Sequence, residues 1–151
     1  MPTPQPPTLL TPDWSTSYPL TLRSPRLARL HTRRQLTLWN WTGDIDDAVL
    51  VTSELVTNAA VHGRLPGHEL WLRLAVSDGG VLSVEVSDPS LAFPVARVDS
   101  GGREGGRGLL VVRELGAELD WFLRADVGKT VRARLAPASA SAPAISPPTV
   151  P

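Results

Sequence analysis

The sequence predicts an α+β domain, a two-layer α/β sandwich whose mixed, mostly antiparallel sheet is covered by helices on one face. Two observations lead to this prediction. Predicted elements follow one another in the order strand, helix, helix, hairpin, loop, helix, hairpin, without an internal repeat. The first hairpin carries apolar residues at alternate positions, as strands with one buried face do, whereas the helical segments carry them three or four apart.

Composition supports one globular domain and narrows its function. The chain has 151 residues, 42% of them hydrophobic, which suffices for a buried core. Fifteen basic residues balance fifteen acidic ones, so no net charge attracts nucleic acid or an anionic membrane. The absence of cysteine excludes disulfides, thiolate metal sites and cysteine nucleophiles, and it suits a cytoplasmic protein. We expect no signal peptide, because the N-terminus has neither a basic region nor an apolar core, and no membrane span, because no apolar run approaches ~20 residues.

Low-complexity segments flank the predicted domain. Residues 1–15 are rich in proline and threonine, and residues 137–151 form an Ala/Pro/Ser run. Because neither segment shows periodicity, we predict disordered tails there and a folded domain over residues 16–136.

The first elements of the domain are a short strand over residues 18–22 and a helix. The helix begins at Ser24-Pro25, a capping residue followed by proline at the first helical position. One face of this helix carries residues at helical spacing, with arginines on the other face: Leu27, Leu30, Arg34 and Leu38.

A second helix opens near Asp44, among the acids favoured in a first turn, and ends at Gly63. Glu54 and Asn58 are four residues apart, so their side chains lie one turn apart on a single face. In isolation such a pair is more often idle surface than a site, because short motifs recur by chance. The predicted core-facing stripe of this helix comprises Leu50, Val51, Leu55, Val56 and Ala59.

The second half of the domain is predicted as two hairpins joined by a loop and a helix. Strands over residues 69–76 and 81–88 surround a tight turn at 78–80, and strands over 118–124 and 130–135 surround a turn at 126–128. Residues 89–106 have little periodicity and form a long loop, a feature that is usually functional inside compact domains. A helix then runs from about 108 to 116.

Three further signals mark a site, and each has a plain structural alternative. Asp88 ends a buried-looking strand, where a carboxylate is costly unless it is paired or bound; a turn-former before Pro89 is an equally good interpretation. The glycine-rich segment 101–108 precedes a helix and could bring backbone amides to a phosphate, but it could also be a flexible loop. Residues 128–130 lie at the mouth of the last hairpin and are most often only a turn.

The four signals occur in an order that resembles the GHKL, or Bergerat-fold, ATPases, and more closely the small anti-sigma-factor-type serine/threonine kinases of bacteria. The resemblance covers about residues 17–135. Residues 54–63 match the N box and 86–88 match the end of the G1 strand. Residues 105–109 match the G2 box, and 128–131 match the final glycine-threonine turn.

The resemblance implies ATP and Mg²⁺ as cofactors and assigns roles to three side chains. Asn58 would bind Mg²⁺ through its amide oxygen, a hard ligand for a hard cation. Asp88 would accept a hydrogen bond from the adenine amino group. Glu54 would act as general base on the incoming hydroxyl, and the loop 89–106 would serve as a lid.

The same resemblance assigns the remaining groups of the site. Gly105, Gly106 and Gly108 would bring backbone amides to the triphosphate, and Arg107 would neutralise phosphate charge. Thr130 would help to hold the adenine. Positioning and charge neutralisation are what phosphoryl transfer asks of a protein, and this set supplies both.

One departure from the family pattern concerns the base pocket. Family kinases often carry Asp-x-Gly at the G1 strand end, whereas this chain has Asp88-Pro89-Ser90. Proline fixes φ and removes an N–H, which weighs against tight nucleotide binding but leaves the role of the aspartate intact.

Two functions follow from the sequence. The first is an ATP- and Mg²⁺-dependent protein serine/threonine kinase that phosphorylates an anti-anti-sigma-type regulator, with a sigma factor as a second partner. The alternative is a non-catalytic module that binds ATP or sequesters a partner. A homodimer is compatible with either function. We do not expect a histidine kinase, because no helical dimerisation and phosphoacceptor segment precedes the domain.

Overall fold

The computed structural model describes residues 11–62, 67–90 and 111–138. Its helices and strands are, in chain order, β1 (Asp13–Pro19), α1 (Ser24–Leu38), α2 (Ile45–His62), β2 (Glu69–Val76), β3 (Leu82–Asp88), β4 (Glu118–Leu123) and β5 (Lys129–Leu135). The strands form one sheet in the order β1-β2-β3-β5-β4, and each neighbouring pair is antiparallel. The predicted fold class is therefore confirmed, with a sheet that is antiparallel at every described pairing.

The two faces of the sheet differ in chemistry because side chains alternate along each strand. We call the face under α1 and α2 the inner face and the opposite one the outer face. Helix α2 packs on β2, β3 and β5, while α1 packs on α2 and reaches β1. Each of the three central strands contributes buried apolar residues to the inner face: Leu70, Leu72, Leu74, Leu82, Val84, Val86, Val131, Ala133 and Leu135.

The outer face carries a row of charged side chains that cross the sheet in register. Arg73 lies opposite Glu85, Glu85 lies opposite Arg132, and Arg132 lies opposite Asp120. Ion pairs join Arg73 to Glu85 at 2.9 Å and Arg132 to Asp120. Alternating charge of this kind stabilises cross-strand neighbours modestly and keeps this face in contact with solvent.

The first strand is displaced from its predicted position. Strand β1 covers Asp13–Pro19, not residues 18–22, so it includes three residues that the sequence placed in the tail. Its inner-face residues Trp14, Thr16 and Tyr18 alternate with serines, a pattern too polar to identify as a strand before the sheet is known. Pro19 is tolerated because it closes an edge strand, which pairs on one side only.

Helix α1 begins where predicted, but its faces are the reverse of what the leucine spacing suggests. Leu27, Leu30 and Leu38 are 44%, 59% and 67% exposed. The buried positions are Ser24, Pro25, Ala28, Thr32 and Leu36, mostly small residues that let α1 approach α2 closely.

The predicted capping role of Ser24 is also wrong. Arg23 occupies the N-cap position of α1 without a side-chain cap hydrogen bond. The Ser24 hydroxyl instead donates to the Pro19 carbonyl at 2.5 Å, which ties the start of the helix to the end of β1.

Helix α2 follows its prediction at the start and along most of its stripe. The Asp47 N–H donates to Asp44 Oδ1 at 3.0 Å, so Asp44 is a true N-cap. Val51, Leu55, Val56 and Ala59 are buried, but Leu50 is 39% exposed. The predicted stop at Gly63 lies outside the described residues.

Among the described helices, none combines the length and the apolar character that a membrane span requires.

The described end of the third predicted helix is set by a glycine. Residues 111–114 are helical, and Gly116 has φ 78°. The Gly116 N–H donates to the Arg113 carbonyl, and the Ala117 N–H donates to the Val112 carbonyl. This pair of hydrogen bonds is a Schellman motif, which confirms the predicted stop at Gly116.

Candidate functional site

A small cleft with a cavity volume of about 10 Å³ opens on the inner face where α2 passes over the ends of β3 and β5. The last two turns of α2 form one wall, and the C-terminal end of β3 with the start of β5 forms the other. The lining residues are Leu55, Asn58, Ala59, His62, Val86, Asp88, Lys129 and Val131. Polar groups therefore converge on one end of an otherwise apolar cleft, the usual composition of a small-molecule site.

Asn58 brings an unsatisfied amide to this cleft. Its Nδ2 is buried and has no hydrogen-bond partner among the described residues. A buried donor without a partner costs about 1–3 kcal/mol, so native structures seldom leave one unless a ligand or water completes it. The apolar neighbours Leu55 and Ala59 fix the orientation of this side of α2 by packing into the core.

Asp88 faces Asn58 across the cleft and is paired with a charge. Lys129 lies directly opposite Asp88 in the β3–β5 ladder, and its Nζ is 2.9 Å from both Oδ1 and Oδ2. Both side chains are only 3% exposed. The Lys129 ammonium also donates to the Ser90 carbonyl at 3.3 Å.

The two interpretations that the sequence left open for Asp88 are both realised. Its carboxylate is a buried, paired group, as the costly strand-end position required. Its Oδ1 also accepts the Ser90 N–H at 2.8 Å, so the same side chain stabilises the turn through Pro89.

Gly128 allows β3 and β5 to meet at the cleft. Its φ is +85°, and a Cβ built on it would lie 1.9 Å from the Asp88 carbonyl oxygen and 2.7 Å from the Pro89 Cα. Only glycine combines this left-handed conformation with so close an approach of backbone to backbone. The glycine of the predicted turn thus positions both Asp88 and Lys129.

Glu54 lies one helical turn before Asn58 and is partly exposed, but it is not among the residues that line the cleft. Only the four-residue spacing along α2 relates it to Asn58.

Thr130 is not brought to the cleft. Its side chain lies on the outer face of β5, where its Oγ1 is 2.7 Å from the Ser87 Oγ. The alternation of side chains explains this, because Val131, Ala133 and Leu135 point inward and the residue before Val131 must point outward.

The structure therefore adds two residues that sequence reasoning did not assign to the site, Lys129 and His62. Lys129 shares the inward phase of β5, so the alternation of Val131, Ala133 and Leu135 was the signal that could have identified it. His62 is the last residue of α2 and lines the cleft although it is exposed. No spacing pattern in the sequence distinguishes it from an ordinary helix-end histidine.

Four predicted site residues lie outside the described part of the chain: Gly105, Gly106, Arg107 and Gly108. Most of the predicted lid over residues 89–106 lies outside it as well.

A family comparison accounts for this arrangement. Residues 19–135 match the histidine kinase-like ATPase domain, well over half of the chain. The chain belongs to this family. The match begins at the end of β1 and ends with β5, so it contains every wall of the cleft.

Comparisons with individual proteins add little beyond the family. The histidine kinase domain of a blue-light-activated histidine kinase from Erythrobacter litoralis is 29% identical, with a TM-score of 0.48. That similarity covers 60% of this chain and 43% of the other, so this chain spans less than half of its relative's length. A search of curated proteins found no match.

The ligand that the family name implies is ATP, and the described residues fit an adenine nucleotide at one end. Asn58 offers an Nδ2 donor without a partner among the described residues, and across the apolar cleft Asp88 offers a carboxylate acceptor, which is already paired with Lys129. Within the described ranges no cluster of three or more acidic or histidine side chains could hold a metal ion. A Mg²⁺ ion would thus depend on Asn58, water and the phosphates of the nucleotide, as is common for this cation.

Proposed function

We propose that this chain is an ATP- and Mg²⁺-dependent protein serine/threonine kinase that acts as an anti-sigma-type regulatory factor and phosphorylates a partner regulator. The observation that carries the proposal is the buried Nδ2 of Asn58, which has no hydrogen-bond partner among the described residues. Asn58 lies one turn after Glu54 and lines the same cleft as Asp88. This arrangement combines a candidate metal and phosphate ligand, a candidate base and a candidate adenine acceptor at one end of the inner face.

Asn58 and Asp88 have complementary roles in this proposal. Asn58 would hold Mg²⁺ through its amide oxygen and donate its N–H to a phosphate oxygen, which would satisfy a group that has no partner among the described residues. Asp88 would accept the amino group of the base. The phosphates would then lie near Asn58, one helical turn from Glu54.

Glu54 supplies the acid–base chemistry. Its carboxylate takes the proton from the serine or threonine hydroxyl of the partner as that oxygen bonds to the γ-phosphorus and the bond to ADP breaks. Its partial exposure suits this role, because a base that serves a second protein must be reachable from solvent. We propose an anti-anti-sigma-type regulator as the phosphorylated partner and a sigma factor as a second, sequestered partner in the cytoplasm.

A phosphorylation assay tests the proposal. The protein is incubated with Mg²⁺ and γ-labelled ATP together with candidate regulators encoded in the same genome. Wild type labels one of them on serine or threonine, whereas Glu54→Gln reduces the rate by about 100-fold or more, the usual contribution of a general base. Glu69→Gln, on the exposed start of β2, is the matched control and keeps the wild-type rate. Equal labelling by Glu54→Gln and wild type would remove the catalytic role of Glu54.

A second candidate is a module that binds ATP or a partner without phosphoryl transfer. Two observations favour it: the chain has Asp88-Pro89-Ser90, with a restrictive proline, where the family pattern is Asp-x-Gly, and Lys129 already engages the Asp88 carboxylate. Calorimetry separates the candidates. A chain that binds no ATP cannot be the kinase, whereas sequestration of a sigma factor would survive that result.

A further inference from the structure

The base end of the cleft contains a cation from the chain itself. Lys129 Nζ contacts both oxygens of Asp88 at 2.9 Å and the Ser90 carbonyl at 3.3 Å. Asp88 Oδ1 additionally accepts the Ser90 N–H. The carboxylate proposed to bind the base is therefore fully charge-compensated by the protein.

An incoming amino group would meet a carboxylate with little free capacity. An ionised carboxylate has about four lone-pair positions, and three of those on Asp88 are already used. The remaining position is on Oδ2, next to the Lys129 ammonium, whose positive charge repels a second N–H donor. Charge-assisted hydrogen bonds are roughly twice as strong as neutral ones, so a neutral amino group competes poorly with an ammonium.

We propose that Lys129 determines the affinity of the cleft for a nucleotide base, because it competes with the base for Asp88. This inference rests on the proposed nucleotide-binding function and concerns the base end of that site alone. The wild-type chain binds adenine weakly, and nucleotide affinity comes mainly from the phosphate end. Shortening or neutralising residue 129 frees Asp88 for the base.

The pair is well placed for such competition. Asp88 and Lys129 are direct cross-strand neighbours whose backbones are fixed by the β3–β5 ladder and by the close approach of Gly128. Because both side chains are 3% exposed, salt in the solvent screens their attraction much less than that of a surface pair. The competition is therefore a built-in property of the folded chain, and it persists at physiological ionic strength.

Binding measurements with three ligands test this inference. Calorimetry follows ATP and tripolyphosphate, and an NMR titration follows adenosine, which binds too weakly for calorimetry. Lys129→Met keeps the length of the side chain but lacks the ammonium. It is expected to bind ATP and adenosine about tenfold more tightly than wild type, the loss of one competing charged contact. Binding of tripolyphosphate, which has no base, stays unchanged.

Two further variants make the test independent of folding. Lys129→Arg retains the cation and binds adenosine no more tightly than wild type. Lys129→Gln retains a neutral donor to Asp88 and gives an intermediate gain, and it replaces Lys129→Met if circular dichroism shows that the methionine variant is unfolded.

The outcomes separate this inference from the proposed function. If wild type binds ATP and neither the Met nor the Gln variant binds adenosine more tightly, the competition is refuted and nucleotide binding stands. An equal change for tripolyphosphate would show a general structural effect and also refute it. If no variant binds any of the nucleotides, the proposed function and this inference fail together.

Discussion

Two adjacent cross-strand pairs between β3 and β5 differ in side-chain chemistry and in the face of the sheet on which they lie. Ser87 and Thr130 meet on the outer face, with their hydroxyl oxygens 2.7 Å apart. Asp88 and Lys129 meet one residue later on the inner face, as a buried ion pair. Thr130 is itself only 5% exposed, so the contrast lies in side-chain chemistry: the inner pair is a full charge pair, and the outer one joins two neutral hydroxyls.

The contrast extends across the sheet. Each ion pair on the outer face has at least one side chain that is well exposed, Arg73 at 49% and Asp120 at 43%, while their partners Glu85 and Arg132 are 14% and 25% exposed. Such pairs contribute little to stability, because water can solvate either partner when the other is removed. A buried pair has no such substitute, so removal of one partner leaves an uncompensated charge in the core.

The largest expected effect comes from removing one partner of the inner pair. Asp88→Asn leaves the Lys129 ammonium buried without a counter-charge, and we expect a loss of roughly 3–5 kcal/mol in the free energy of unfolding. The matched outer-face variant Asp120→Asn, which removes the partner of Arg132, should cost at most about 1 kcal/mol. Urea denaturation of both variants at pH 7 measures the difference.

A double variant checks the cause of that loss. Adding Lys129→Met to Asp88→Asn removes the unpaired charge as well as its partner, so most of the lost stability should return. If the double variant is as unstable as Asp88→Asn alone, the loss comes from the turn through Ser90 and not from the buried charge.

The next effect concerns the glycine that brings the two strands together. Gly116 and Gly128 both have positive φ, at 78° and 85°. A Cβ on Gly116 would meet no atom of the described residues within 4 Å, whereas one on Gly128 would overlap the Asp88 carbonyl. Gly116→Ala should therefore cost only the conformational penalty of about 1–2 kcal/mol. Gly128→Ala should cost about 1–3 kcal/mol more, because the strand ends must separate. Thermal denaturation of the two variants tests this reasoning. Equal losses of stability would contradict it.

Sequence prediction succeeded for elements that bury large apolar residues and failed for a helix that buries small ones. Strands β2 and β3 and the body of α2 were predictable because their buried residues alternate or recur with the correct period. Helix α1 was misjudged because its buried face is made of small residues such as Ala28 and Thr32, while its leucines are exposed. Periodicity identifies a stripe of large apolar residues, but it cannot tell which face packs closely against another helix.

The candidate site was predictable in part for a related reason. Asn58 and Asp88 are polar residues inside apolar patterns, so the sequence singled them out. Lys129 was overlooked and Thr130 chosen in its place, although the alternation through Val131 assigns the inward side to Lys129. That Asp88 and Lys129 stand opposite each other follows from the β3–β5 register, which no local pattern specifies.

A smaller effect is expected at Tyr18, near the C-terminal end of β1. Burial raises the pKa of Tyr18 to about 12 from 10.0. The phenol has a higher pKa in the folded chain than in the unfolded chain. Its contribution to the free energy of unfolding is therefore fully present below pH 10 and is lost as the pH rises toward 12. The loss reaches about 2–3 kcal/mol. Because Tyr18 is the only tyrosine of the chain, the absorbance of the ionised phenol reports it alone: a midpoint near 10 in the folded protein would contradict its burial.

The smallest effect is expected at Asp13, the first residue of β1, whose pKa shifts in the opposite direction. Hydrogen bonds from Arg73 lower the pKa of Asp13 below its ordinary 3.8. A lowered pKa contributes stability above the unfolded value, which is lost as the pH falls through the folded value. Both side chains are about half exposed, at 48% and 49%, so Asp13→Asn should cost less than about 1 kcal/mol at pH 7.

Salt and acid distinguish this outer pair from the inner one. At 1 M salt, where the Debye length is about 3 Å, the cost of Asp13→Asn should shrink toward zero, and it should vanish again in acid once Asp13 is protonated in wild type. The cost of Asp88→Asn should persist in the same salt, because solvent ions cannot reach a pair that is 3% exposed. Parallel urea titrations at low and high salt measure both costs. Equal salt sensitivity of the two variants would mean that the Asp88–Lys129 pair is open to solvent, and the contrast between the faces would then not hold.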